Sequence, residues 1–187
     1  TEQAKPELAI NYELGYRLLT KTTQIQAVLF KSAYENLLGS DNISGGGMGT
    51  GDLFNAGKAL VQGAELSIQQ VFQYKKWRFP IQANYTFTKA TFEETFVNGG
   101  GDWGSGQINK NDLIPFITPH LFGSQIGVEN HKWTALLNAN YVGATRTLPG
   151  QNENIDPASD ENFALVNNIP GFVILDLSLQ YEMQPSW

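Results

Sequence analysis

Cysteine is absent from the 187 residues, which removes disulfide frameworks, thiolate metal sites and thiol nucleophiles and leaves the redox compartment open. Histidine occurs only at positions 120 and 131, assigned to opposite ends of one candidate strand, so the two cannot share a metal or a catalytic dyad. Basic residues are few: 12 Lys and Arg against 18 Asp and Glu leave a formal charge of -6, and the scatter of the cations argues against a nucleic-acid partner. No apolar run approaches the roughly 18 residues of a helical membrane span. Residues 1–6 have neither the charged start nor the apolar centre of a signal peptide.

Glycine (19) and aromatic residues (12%) are plentiful, in a chain that is 41% hydrophobic with a mean hydropathy of -0.26. That is too polar for a bundle of membrane helices but suits a barrel, in which only alternate residues face lipid. Leu8, Ile10, Tyr12, Leu14, Tyr16 and Leu18 recur at period two between Ala9, Asn11, Glu13, Gly15 and Arg17, a pattern no helix can use. Ten such steps of about 3.3 Å, tilted by about 40°, cross roughly 25 Å of membrane.

The same test succeeds at Val173, Leu175, Leu177, Leu179, Tyr181 and Met183. It succeeds again along Leu60 to Tyr74, with Gln62 as an exception on the outer face, and along Phe79 to Phe87. Phe122, Ile126 and Val128 are opposed by Gly123, Gln125 and Gly127. Along 23–36, Ile25, Ala27 and Leu29 compete with Val28 and Phe30 for the outer face, and the pattern leaves the phase open. With the strand that follows Trp133, seven strands are predicted.

Links at 19–22, 75–76 and 130–132 are short, whereas those at 38–57, 93–119 and 147–169 are long, Gly-rich and acidic. Short turns on one side and long external loops on the other are the arrangement of an outer-membrane barrel, and compact soluble domains rarely need so much irregular chain. Lys76-Trp77 and Lys132-Trp133 each precede an Ala-Asn-Tyr by the same five-residue gap, at Ala83 and Ala139. In both copies Trp and Tyr share the outward parity, so they would stand near opposite interfaces. Tyr16, Phe72, Tyr74 and Tyr181 join the two Trp residues in an aromatic girdle at the short-turn side. Seven strands cannot close a bacterial barrel, so the chain is expected to be incomplete, with open edges that lipid cannot satisfy.

Lys5-Pro6-Glu7, Asn11-Tyr12-Glu13-Leu14-Gly15-Tyr16-Arg17, and Asn55-Ala56-Gly57-Lys58 followed by Val61-Gln62-Gly63-Ala64-Glu65-Leu66 resemble, in order and spacing, the C-terminal barrel of TonB-dependent transporters. Glu35-Asn36-Leu37-Leu38-Gly39-Ser40-Asp41 with Gly49-Thr50-Gly51-Asp52-Leu53-Phe54-Asn55 is similar, more narrowly, to the ferric dicitrate receptor branch. Asp102-Trp103-Gly104, residues 113–116 and Pro119-His120 resemble its next loop and strand. The resemblance covers nearly the whole chain. It implies a barrel of about 22 strands around an N-terminal plug, a TonB box at the start of the plug, and active import. Residues 1–187 would then be a C-terminal barrel segment, the fourteenth to twentieth strands, with the plug and last strands absent.

Little in the sequence points to catalysis. Ser124 and Ser178 have no local histidine, and the pairs Glu93-Glu94 and Asp160-Glu161 sit in loop surroundings that read as solvated charge. The runs Gly45-Gly46-Gly47 and Gly99-Gly100-Gly101 lead into no helix and lack the Lys-Ser/Thr end of a phosphate cradle. Glu13, Arg17, Glu65 and Arg78 take inward parity and are read as charge pairs lining the lumen or meeting the plug. Arg146, inward and at the top of its strand, is the only arginine at the extracellular mouth, where a guanidinium can offset the carboxylates of an anionic ferric complex. Trp103, Gln107 and Lys110 are the other ligand-binding candidates. No catalytic residue, metal ligand or cofactor is expected.

The fold class is therefore all-β, a partial antiparallel transmembrane β-barrel. The expected function is part of an outer-membrane importer of a ferric chelate, iron(III) dicitrate or a similar siderophore, in a Gram-negative bacterium. Its partners would be that ligand, outer-membrane lipid and lipopolysaccharide, and TonB. A passive porin would share the same periodicity, and a soluble β-sandwich binding module would need a second sheet over the apolar face.

Overall fold

The computed structural model describes residues 5–40, 53–55, 57–99, 105–149 and 168–183. Along these the strands are β1 (Leu8–Leu19), β2 (Thr23–Glu35), β3 (Leu38–Ser40), β4 (Leu53–Asn55), β5 (Ala59–Tyr74), β6 (Trp77–Phe92) and β7 (Phe96–Gly99). They continue with β8 (Ser105–Ile108), β9 (His120–Glu129), β10 (Trp133–Val142), β11 (Thr145–Arg146), β12 (Asn168–Ile169) and β13 (Phe172–Tyr181). Seven form one sheet in the order β1-β2-β5-β6-β9-β10-β13, every neighbouring pair antiparallel. This is an up-and-down meander with β1 and β13 at its edges, and no second sheet covers its apolar face among the described residues.

The long connections differ from the expectation of irregular loops. Each holds a small hairpin of its own, β3 with β4, β7 with β8 and β11 with β12. The two strands flanking each connection are neighbours, so its ends start side by side and can exchange backbone hydrogen bonds, as Leu37 N–H does with the Gly57 carbonyl at 2.9 Å. The tips expected at 44–51 and 151–161, and most of 98–106, lie outside the described residues.

Register settles the phase of β2. Leu29 faces Leu14 and Ala64, and Ala27 faces Tyr16 and Leu66, so Ile25, Ala27 and Leu29 belong to the apolar face. Val28 and Phe30 turn to the polar face because glycines make room for them there. Val28 stands opposite Gly15, and Phe30 opposite Gly63, whose missing Cβ would lie 2.6 Å from the Phe30 ring. The same device recurs at Gly127, where a Cβ would meet Pro80 at 2.7 Å and Leu136 at 2.9 Å. Pro80 is itself unusual inside a central strand: it has no N–H to donate, and the β6–β9 ladder passes over Phe79 and Pro80 without a break in register.

Elsewhere the polar face carries amides. Gln24, Gln69, Gln82, Gln125, Asn138 and Asp176 are successive register partners across six strands, with Gln125 Nε2 donating to Asn138 Oδ1 at 2.8 Å. Such a row suits a water-filled or plugged lumen rather than lipid. The opposite face is apolar and open, with Leu14 72% and Leu177 77% exposed, as expected where lipid is the solvent.

The aromatic girdle at the short turns is present as register pairs, except that Tyr16, expected in it, lies in the row of Ala27 and Leu66, eight residues above Tyr74. Tyr74 faces Trp77, and Trp133 faces Tyr181 with ring centroids 4.5 Å apart. The turns have legible chemistry. Thr20 Oγ1 accepts the Thr23 N–H at 2.9 Å, and Asn130 Oδ1 accepts the N–H groups of Lys132 and Trp133 at 2.8 and 2.9 Å, each side chain standing in for a backbone acceptor. Lys75 opens the two-residue β5–β6 turn with φ 54° and lays its ammonium 5.3 Å from the Tyr74 ring centre.

Candidate ligand-binding site

The chemistry-bearing side chains gather at the long-loop rim, where most of the buried residues also lie: Ala59, Ala90, Phe92, Ile108, Asp112 and Thr145. Residues 112–119 extend the pairing of β9 along β6. Phe92 N–H donates to the Asp112 carbonyl, Ile114 N–H to that of Ala90, and Thr88 N–H to that of Pro119, at 2.9 to 3.0 Å. Asp112 Oδ2 accepts the Asn109 N–H at 2.8 Å and closes the turn that leads back from the β7–β8 hairpin. Phe92, fully buried, seals this corner edge-on against Phe96.

The predicted ligand residues are distributed unevenly. Trp103 lies outside the described residues. Gln107 is exposed on the β7–β8 hairpin, its amide donating to Asn109 Oδ1 at 2.7 Å. Lys110 is 3.7 Å from Glu93 Oε2, and its N–H donates to Thr95 Oγ1 at 3.0 Å. Glu93 and Glu94 are thus ion-paired rather than merely solvated, since Glu94 Oε1 lies 3.7 Å from Lys58, which also reaches Glu35 at 3.8 Å.

Arg146 sits in β11 opposite Asn168. Its Nε donates to the Leu148 carbonyl at 3.2 Å, and its own carbonyl accepts the Phe116 N–H at 2.7 Å. Gly143 still pairs with His120, but the Phe116 bond falls one residue out of that register, and Phe116 takes φ 62°. A parity count carried up from Trp133 therefore crosses an irregularity before it reaches Arg146. Where residues 115–118 bulge away from β6, a cavity of ≈ 350 Å³ opens. Its walls include Lys89, His120, Tyr141, Ile117, Asn168 and Arg146, but neither Gln107 nor Lys110.

Two of those wall residues, Lys89 and His120, were not among the sequence candidates for ligand contact. His120 is tied to Tyr85 by a 2.8 Å contact between Nδ1 and the hydroxyl, and it packs on Phe87 at 5.3 Å between ring centres. Its register to Phe87 and Gly143 assigns it to the apolar face. His131 lies beyond the other end of β9, in the short turn, as expected. The inward charges pair differently from expectation. Arg78 reaches Glu129 at 3.2 Å, Arg17 donates to Gln26 Oε1 at 3.1 Å, and among the described residues neither Glu13 nor Glu65 has a cation within 4.0 Å. Each partner faces its mate directly across a strand pair, which single-strand parity does not reveal.

Residues 2–187 match the model of the TonB dependent receptor-like β-barrel. The chain belongs to the TonB-dependent receptor β-barrel family. It is 30% identical over 147 residues to the pesticin receptor of Yersinia enterocolitica, a stretch that is 75% of this chain and 19% of that protein. The chain thus spans about a fifth of the length of the curated relatives it matches.

Among solved structures, the ferric-catecholate import receptor Fiu of E. coli K12 superposes with a TM-score of 0.61 at 22% identity, over 97% of this chain and 22% of that one. The ferric yersiniabactin uptake receptor FyuA of Yersinia pestis gives 0.59 at 22% identity, over 94% and 22%. These likenesses establish the fold, a piece of a TonB-dependent receptor barrel in the outer membrane of Gram-negative bacteria, and they remove the soluble β-sandwich.

Proposed function

We propose that this TonB-dependent receptor barrel segment is part of an active importer of a ferric chelate, iron(III) dicitrate or a similar citrate-type siderophore, with no catalytic step of its own. Import would be energised through TonB, engaged by a region N-terminal to these strands. Residues 1–187 would form the C-terminal barrel wall, bounded by outer-membrane lipid and lipopolysaccharide. The observation that supports the reading is Arg146, held in β11 at the long-loop end of a receptor-family barrel. Its planar guanidinium suits a ligand that presents several carboxylates. The relatives support the ferric-chelate class, two of the superposed structures being named for ferric ligands. The dicitrate branch rests on the sequence resemblance along 35–55.

Titrating ferric citrate into the full-length receptor and following tryptophan fluorescence tests the reading. Arg146→Ala is expected to lose a charge-assisted contact of about 1.5 to 3 kcal/mol, roughly a 10- to 150-fold loss of affinity. Arg146→Lys recovers only part of it, because the planar fork is gone. Arg17→Ala, near the short turns, leaves external binding unchanged. Wild-type affinity in Arg146→Ala removes that residue from the site. Binding of a catecholate complex but not of ferric citrate by the wild type sinks the dicitrate reading and keeps the importer.

A further inference from the structure

The sheet's apolar face is interrupted at one level. Tyr12, Lys31, Gln62 and Lys89 are successive register partners across β1, β2, β5 and β6, and their parity is that of Leu14, Leu29, Ala64 and Phe87, the side that meets lipid. All four are exposed. They offer a hydroxyl, an ammonium, an amide and a second ammonium, and among the described residues neither Lys31 nor Lys89 has a carboxylate within 4.0 Å. The carboxylates nearest in sequence are taken up by other cations, Glu35 and Glu94 by Lys58 and Glu93 by Lys110.

Height along a single strand locates this row. Gln62 lies twelve residues from Tyr74, and Lys89 twelve from Trp77, so each stands above its girdle residue by about 40 Å of strand, or about 30 Å along the membrane normal at a tilt of about 40°. That distance spans the hydrocarbon and brings Gln62 and Lys89 to the headgroups of the outer leaflet, while Lys31, eight residues above Thr23 at the β1–β2 turn, stands about 20 Å above that turn and reaches the same zone by extending its ammonium. A lone lysine at such a level would merely snorkel to interfacial water. Here Lys31 and Lys89 are two strands apart, about 10 Å, with an amide donor between them. That gap lets both ammonium groups close on one multiply charged oxyanion. Just below Lys89, the cavity wall of Phe87, His120 and Tyr141 continues the apolar face.

We propose that the Lys31–Gln62–Lys89 row is a binding site for a phosphate group of an outer-leaflet phosphorylated glycolipid, on the outside of the barrel and distinct from the captured chelate. The donors match a phosphate's need for several charge-assisted hydrogen bonds, and the apolar rows below accept the acyl chains of the same molecule. The inference rests on the outer-membrane placement and on the lipid contact proposed above, not on which ligand is imported.

Native mass spectrometry of the full-length receptor in detergent tests it, with bis-phosphorylated lipid A, its enzymatically dephosphorylated form and phosphatidylglycerol as probes. The wild type is expected to retain bis-phosphorylated lipid A over the dephosphorylated form. K31Q/K89Q is expected to lose about 30-fold in affinity, the effect of two lysines near an anionic lipid surface. K21Q/K132Q, which changes two short-turn lysines, keeps wild-type retention, and heat modifiability on gels checks that each variant is folded. Equal retention by K31Q/K89Q and wild type overturns the site, as does equal binding of the phosphorylated and dephosphorylated forms. Equal binding of phosphatidylglycerol reduces it to unspecific charge and overturns the glycolipid assignment. Ferric-chelate binding by the same K31Q/K89Q preparation reports separately on the import reading.

Discussion

Two glycines on the polar face, Gly15 and Gly63, each stand opposite a large β2 side chain, yet they should respond in opposite ways to the same substitution. At Gly15 an added Cβ would lie 3.9 Å from Val28 Cγ2 and 4.0 Å from the Ala27 oxygen, ordinary contact distances. Gly15→Ala therefore mainly restricts the unfolded chain and should stabilise by about 0.4 to 1 kcal/mol. At Gly63 the Cβ would press on the Phe87 carbonyl oxygen, well inside van der Waals contact, and would lie 2.6 and 2.9 Å from two carbons of the Phe30 ring. The ring can swing aside, but the carbonyl belongs to β6, which pairs with β5 along its whole length. Overpacking costs about 1 to 3 kcal/mol, with a rigid neighbour placing this case near the upper end. Subtracting the unfolded-chain gain leaves a net loss of about 2 kcal/mol. Denaturant unfolding of the full-length receptor in detergent, followed by tryptophan fluorescence and by gel mobility of the folded form, measures both variants. Phe30→Ala combined with Gly63→Ala separates the two obstacles: because the backbone contact remains, removing the ring should restore only part of the loss. Full rescue would assign the cost to the ring alone, and equal stability of Gly15→Ala and Gly63→Ala would refute the register argument.

Leu66→Arg, on the apolar face between Ala27 and Tyr85, should cost the folded barrel about 2 to 4 kcal/mol near the bilayer midplane, while Gln69→Arg, in the polar-face amide row, is tolerated. Equal effects on refolding into vesicles would show that the face assignment is wrong. The Arg78–Glu129 pair, at 3.2 Å but with 54% and 27% of its side chains exposed, should show a coupling below about 1 kcal/mol in a double-mutant cycle. That coupling should shrink in concentrated salt, and a larger, salt-insensitive value would mean that the pair is buried in the whole receptor.

Much of this protein was legible before any coordinate. Alternation is a local property, written residue by residue, so the seven long strands, their apolar faces, the short turns and the Trp–Tyr girdle could be read directly, and strand His120–Glu129 ends where the pattern does. Choosing the phase of β2 required knowing that Gly15 and Gly63 lie opposite Val28 and Phe30, a fact about pairs of strands that the β2 sequence does not contain. The same holds for the ion pairs. Arg78 reads as an inward cation, but only the β6–β9 register shows that Glu129 is its mate. At the rim the chain leaves period two, and backbone groups find partners far along the sequence, Phe92 with Asp112 and Phe116 with Arg146, so local pattern loses its hold. Gln62 shows both sides of the matter. Sequence marked it as a single exception on a greasy face, and the sheet placed Lys31 and Lys89 on either side of it, because register, a tertiary property, decides which exceptions become neighbours.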